Sequence, residues 1–211
     1  MNMLLLLDYT GVAVFAATGA LAASRKQLDI IGFLFLAAIT GIGGGTLRDI
    51  ILGATPVFWV ENSAYIPITA VVAVIVFFGA HLVESRYRLL LWFDAVGMAV
   101  FSVMGAAKGL EMTGSTTVSI ITGMLTATFG GVLRDLLSGE PSVLMRREIY
   151  VSAAMVGAAV FTGLSTIGAS PVIAALAGFA VALGIRGGAL HFGWNFPPYK
   201  TRPGRDPDDV I

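Results

Sequence analysis

The chain has 211 residues, of which 56% are hydrophobic and 12% are charged, and its 13 Lys and Arg residues balance its 13 Asp and Glu residues. A soluble domain carries about twice that share of charge, so the composition predicts an integral membrane protein. The absence of Cys excludes disulfides and thiolate chemistry, and the lack of a basic run argues against nucleic-acid binding.

Seven apolar segments are long enough to cross a bilayer of about 30 Å. They lie near 4–23, 28–53, 64–84, 90–109, 115–138, 149–167 and 171–190. We therefore predict an all-α polytopic membrane protein with a single transmembrane domain over 1–190 and a disordered cytoplasmic tail over 191–211. The first segment imitates a signal peptide, but no Lys or Arg precedes it and Asp8 interrupts it, so we expect a retained helix.

The first six segments form two related units. A shift of 86 residues aligns Asp8 with Asp94, and Leu47-Arg48-Asp49 with Leu133-Arg134-Asp135, without a gap. Because each unit has an odd number of spans, the second unit enters the membrane from the opposite side. This arrangement is an inverted repeat, which commonly builds transport sites from interrupted helices. The predicted parts are repeat one at about 4–84, repeat two at about 90–167, and a seventh helix at about 171–190.

Each repeat carries a glycine-rich motif near the end of its long second segment. Glycines weaken a helix and let backbones approach closely, so we expect a break or kink there. Backbone carbonyls freed by a break can replace part of a cation's hydration shell. Charges at such a position are costly in lipid and therefore indicate a function. The candidate pore residues are Arg48, Asp49, Arg134 and Asp135, and the candidate kink residues are Gly43, Gly44, Gly45, Gly130 and Gly131.

The arginine and aspartate of one motif are adjacent, so their side chains leave a helix about 100° apart. We therefore expect pairing across the repeat, of Arg48 with Asp135 and of Arg134 with Asp49. Two structural interpretations remain open beside a role in lining a pathway. The charges would either lock two broken helices together or lie at segment ends and extend to the interface.

Weaker candidates lie outside the two motifs. Asp8 and Asp94 are predicted to cap the N-termini of segments one and four. Arg146 and Arg147 are candidate ligands for an anionic lipid head group, although the bias of cations toward the inside also predicts them. No Ser–His–Asp set, metal-ligand spacing or complete nucleotide-binding glycine motif occurs, so we predict neither an enzyme nor a bound cofactor or metal.

The orientation follows from the distribution of Lys and Arg. With the N-terminus outside, only Lys108 falls in an outside loop. The inside cations are Arg25, Lys26, Arg86, Arg88, Arg146, Arg147, Arg186, Lys200, Arg202 and Arg205. We therefore expect the N-terminus outside and the C-terminus in the cytoplasm.

The seven-span plan, the two three-span repeats and the duplicated GG-x-LRD motif resemble the prokaryotic trimeric intracellular cation channels, a family whose bacterial members are also described as glycine transporters. The resemblance extends from Asp8 to about Gly193, although Phe129 replaces the first glycine in the second motif. It implies a homotrimer in the bacterial or archaeal inner membrane, with one pore per subunit that conducts K⁺ and, to some extent, Na⁺. It also implies that the glycines kink the second and fifth spans and that Arg48 and Arg134 line the pore.

The residues alone do not select a cation as the transported species. An arginine in a narrow pore repels K⁺ unless carboxylates such as Asp49 and Asp135 offset its charge. A carrier for a small zwitterion such as glycine is the alternative, because Arg and Asp held apart would suit its carboxylate and ammonium groups. A scaffold without transport activity is the third possibility.

Overall fold

The computed structural model describes residues 3–83, 85–142, 149–197 and 204. Helices account for most of these residues, and the predicted all-α membrane fold is confirmed. The helices are α1 Met3–Arg25, α2 Ile30–Leu52, α3 Phe58–Glu61, α4 Tyr65–Gly79 with a 3₁₀ turn at Ala80–Leu82, α5 Arg86–Thr113, α6 Thr116–Leu137, α7 Val151–Thr166 and α8 Pro171–Phe192.

Six of these helices are long and apolar enough to cross a membrane, counting α4 together with its 3₁₀ turn, and α7 is a shorter apolar helix. Side chains at the helix starts satisfy free backbone amides. Asp29 caps α2 by accepting a hydrogen bond from the Gly32 amide, and Ser85 caps α5 by accepting one from the Arg88 amide. The end of α2 is fixed by Gly53, whose φ of 67° favours glycine.

The inverted repeat is visible in the packing. Helices α1, α2 and α4 contact one another as one bundle, and α5, α6 and α7 contact one another as the second. The bundles meet where α1 packs on α5 and α2 packs on α6, while α8 packs on α5 and α7. Phe15 and Phe101, which the 86-residue shift makes equivalent, touch edge to face with their centroids 5.1 Å apart.

The glycine motifs allow α2 and α6 to cross closely. A Cβ on Gly44 would overlap the Thr126 carbonyl oxygen, and a Cβ on Gly130 would lie 2.5 Å from the Thr40 carbonyl oxygen. Both helices nevertheless continue through their glycines, so the prediction that a break frees backbone groups is wrong. The helical hydrogen bonds persist through the glycines. The absence of side chains there serves to let the two helices pack closely. A bend at these residues stays a prediction.

Candidate functional site

The two charged motifs lie on opposite sides of the α2–α6 crossing. Gly44 meets Thr126 and Gly130 meets Thr40, so the two helices run antiparallel through this contact. Each arginine comes four residues after the crossing glycine of its own helix. We call the two ends of this helix contact the Arg48 end and the Arg134 end, after the arginine that lies at each.

The predicted pairing across the repeat is wrong, since each arginine binds the aspartate next to it. Arg48 Nη2 lies 2.7 Å from Asp49 Oδ1, and Arg134 Nη2 lies 2.8 Å from Asp135 Oδ1. The long arginine side chain turns back toward its neighbour. The aspartate of the other motif is out of reach. The antiparallel contacts of Gly44 with Thr126 and of Gly130 with Thr40 put Arg48 level with Thr122, 13 residues from Asp135, which at ~1.5 Å per residue is about 20 Å.

The Arg134 end is a buried charge cluster. Arg134 Nη1 also donates to Asp94 Oδ1 at 2.6 Å, so this guanidinium is held by two carboxylates. Arg134 is 3% exposed, and Asp94 and Asp135 are 2% and 4% exposed. A buried charge is tolerated in an apolar interior only when opposite charges and hydrogen bonds compensate it. Here two carboxylates compensate one buried cation.

A second arginine approaches this cluster from α8. Arg186 is 1% exposed, its guanidinium carbon lies 5.0 Å from the centroid of the Tyr150 ring, and its Nη1 donates to the Ile149 carbonyl at 3.3 Å. The Tyr150 hydroxyl lies in turn beside Gly131, close to Asp94 and Arg134. Repeat two and the added helix α8 therefore share one buried polar centre.

The Arg48 end is arranged differently. Asp8, the equivalent of Asp94, accepts a hydrogen bond from the Tyr65 hydroxyl. Within the described part of the chain, Arg48 forms its ion pair with Asp49, whose other oxygen accepts from the Phe58 amide at 2.8 Å. A cavity of about 260 Å³ reaches this site, lined by Asp8, Arg48, Asp49, Ala54, Pro56, Phe58, Glu61, Met104, Ala107, Lys108 and Glu111.

The capping role predicted for Asp8 and Asp94 is wrong. Both lie inside their helices, since α1 begins at Met3 and α5 begins at Arg86. Ser85 provides the cap of α5 instead. Asp8 is the sixth residue of α1 and Asp94 the ninth of α5, so both lie beyond the first turn, where the free amides that a cap satisfies are found.

Sequence reasoning did not single out Tyr65, Tyr150 and Arg186 at the charge clusters. It also missed three charged residues that line the cavity, namely Glu61, Lys108 and Glu111. The inside cations of the orientation count included Arg186, whereas the structure buries it in α8. The sequence signal that could have identified Arg186 was a single charge inside an otherwise apolar helix. The count becomes nine against one, and the predicted orientation is unchanged. Arg146 and Arg147, the candidate lipid ligands, lie outside the described residues.

The fold and the two sites define a class: a polytopic helical membrane protein built from two inverted three-helix bundles with a charged motif at each end of their contact. The family model described as "Glycine transporter" matches the chain twice, at residues 5–81 and 91–166, once in each repeat. This chain belongs to that family, which includes the prokaryotic trimeric intracellular cation channels.

Individual relatives agree with this assignment. A membrane protein of Vibrio cholerae is 37% identical over 94% of this chain and 83% of its own length. The inner membrane protein YadS of Escherichia coli is 34% identical over 92% and 94%. A trimeric intracellular cation channel orthologue from Rhodobacter sphaeroides has a solved structure that superposes with a TM-score of 0.89, at 52% identity over 92% of this chain and all of that one.

Proposed function

We propose that the chain forms a homotrimeric channel for monovalent cations, K⁺ and also Na⁺, with one pathway in each protomer along α2 and α6. The cavity at the Arg48 end carries this proposal. It reaches the buried Arg48 and Asp49, which follow the glycines of the α2–α6 crossing along α2. The name of the Rhodobacter sphaeroides relative supports both the trimer and the transported cation.

The charges around the cavity favour a cation over an anion. Four carboxylates line it, those of Asp8, Asp49, Glu61 and Glu111, against the two cations of Arg48 and Lys108. A cleft lined by an excess of one charge concentrates the opposite ion. These carboxylates therefore offset the repulsion of K⁺ by Arg48.

The decisive experiment is planar-bilayer recording of the purified protein. We expect unitary currents whose reversal potential in asymmetric KCl follows the K⁺ gradient. The carrier alternative predicts saturable glycine uptake into proteoliposomes without resolvable current steps. A protein that shows uptake alone would contradict the channel, and one that shows neither activity would support the scaffold.

The same recordings test whether the two motif arginines line the pathway. We expect Arg48→Ala and Arg134→Ala to change unitary conductance or open probability in monodisperse protein. Arg88→Ala is the matched control, because Arg88 is an exposed arginine of α5. Wild-type conductance, open probability and selectivity in both motif variants would contradict the pathway role and leave a purely structural lock.

Assembly and orientation need separate measurements. Mass determination in mild detergent should give three copies of the 22.0 kDa chain, and a stable monomer or dimer would contradict the trimer. A reporter fused to the C-terminus should be active in the cytoplasm of the expressing cell. Periplasmic alkaline phosphatase activity at that fusion would overturn the proposed orientation in the inner membrane.

A further inference from the structure

An ion-pair cluster joins the segment after α6 to the end of α1, at the Arg134 end of the molecule. Glu140 Oε1 lies 3.0 Å from Lys26 Nζ and 3.4 Å from Arg25 Nη2. The Arg25 guanidinium carbon also lies 4.6 Å from the centroid of the Tyr87 ring. The cluster therefore connects repeat one, through α1, to the start of α5 and the end of α6 in repeat two.

Glu140 is attached firmly to the second charged motif. Its amide donates to the Asp135 carbonyl at 2.9 Å, and the Ser138 hydroxyl donates to the same carbonyl at 3.2 Å. Gly139 between them has a φ of 65°, which closes the chain tightly over the helix end. A displacement of Glu140 is therefore transmitted to the helix end that carries Arg134 and Asp135.

The other end of the molecule provides an internal comparison. The 86-residue shift places Ala54 at the position of Glu140 and Glu111 at the position of Arg25. The backbone is alike, since the Ala54 amide donates to the Asp49 carbonyl at 2.8 Å. Alanine carries no charge, so no ion pair joins these two positions, and both residues line the open cavity.

We propose that Glu140, Arg25 and Lys26 form an electrostatic latch that holds the Arg134 end of the pathway closed. The latch rests on the proposed conduction function, and it specifies which contact keeps the pathway closed at the Arg134 end. The paired side chains are 21% to 36% exposed. Ion pairs this accessible shift an equilibrium only about two- to fivefold, which suits a contact that must open repeatedly.

The first test measures open probability in a charge-reversal cycle. We expect Glu140→Gln and Glu140→Lys each to raise open probability about two- to fivefold. Combining Glu140→Lys with Arg25→Glu and Lys26→Glu should restore the wild-type value, because the ion pairs re-form with opposite signs. Unchanged open probability in both Glu140 variants, or no restoration in the triple variant, would overturn the latch.

The second test does not depend on current. The chain lacks Cys, so Ser138→Cys introduces a single thiol at a position that is 8% exposed, beside the second motif. We expect a water-soluble maleimide to modify this thiol about two- to fivefold faster when Glu140→Lys is also present, and at the original rate in the charge-reversed background. Equal labelling rates in all three backgrounds would overturn the latch, whether or not the protein conducts. An absence of current in the wild-type protein would by itself count only against the channel.

Salt provides a matched control within the same assay. Raising KCl from 0.1 M to 1 M shortens the Debye length from about 10 Å to about 3 Å. The labelling rate of the Ser138→Cys protein should therefore rise with salt and that of its Glu140→Gln derivative should not. The same salt dependence in both proteins would contradict an electrostatic latch.

Discussion

The two ends of the molecule carry the same Leu-Arg-Asp triplet in different surroundings. At the Arg134 end, the guanidinium is held by Asp94 and Asp135 and is fully enclosed. At the Arg48 end, the guanidinium binds Asp49, while Asp8 is engaged by Tyr65 and a cavity reaches the site. An inverted repeat therefore preserves the position of a charged motif without preserving its partners.

The difference arises outside the triplet. Helix α8, which follows repeat two, brings Arg186 against Tyr150 at the Arg134 end. The 86-residue shift places Val100 of α5 at the position of Arg186, so the equivalent position carries no charge. Buried charges are stable only when their partners are in place. We therefore expect the Arg134 end to contribute mainly to stability and the Arg48 end mainly to passage of ions.

The largest expected effect is a difference in folding stability between variants of the two motif arginines. Arg134→Ala should lower the stability of the folded protein by about 3–5 kcal/mol, because it leaves Asp94 and Asp135 buried without their cation. Arg48→Ala should cost less, since it removes the cation from the single carboxylate of Asp49, which keeps the Phe58 amide as a donor. Thermal unfolding of both variants in the same detergent measures this difference, and equal losses would show that the two ends are energetically alike.

A smaller effect concerns the helix crossing that both ends share. Gly44→Ala places a methyl group against the Thr126 carbonyl and should cost about 1–3 kcal/mol through overpacking. Gly184→Ala is the control, because a Cβ there meets nothing within 4 Å and alanine favours a helix over glycine by about 1 kcal/mol. A melting temperature that does not fall in Gly44→Ala relative to Gly184→Ala would contradict the close crossing.

The sequence predicted the architecture better than the contacts. Apolar length and the 86-residue register depend on composition and spacing, which the chain displays directly. The partner of Arg48 depends on how a flexible side chain turns, and adjacency on a helix was a poor guide to that. The role of Asp94 was missed because α5 begins at Arg86, inside a stretch where Arg86 and Arg88 dilute the apolar signal that marks a span.

The smallest effect tests why Asp8 and Asp94 differ. Tyr65→Phe removes the hydroxyl that donates to Asp8 and should cost about 1 kcal/mol of stability. Without that donor, we expect Asp8 to attract Arg48 as Asp94 attracts Arg134, which narrows the cavity and lowers unitary conductance. Tyr9→Phe is the matched control, because the Tyr9 hydroxyl accepts a hydrogen bond from Asn62 and Tyr9 does not line the cavity at the Arg48 end. If both variants lower conductance equally, the hydroxyl of Tyr65 does not hold Asp8 apart from Arg48, and the open Arg48 end needs another cause.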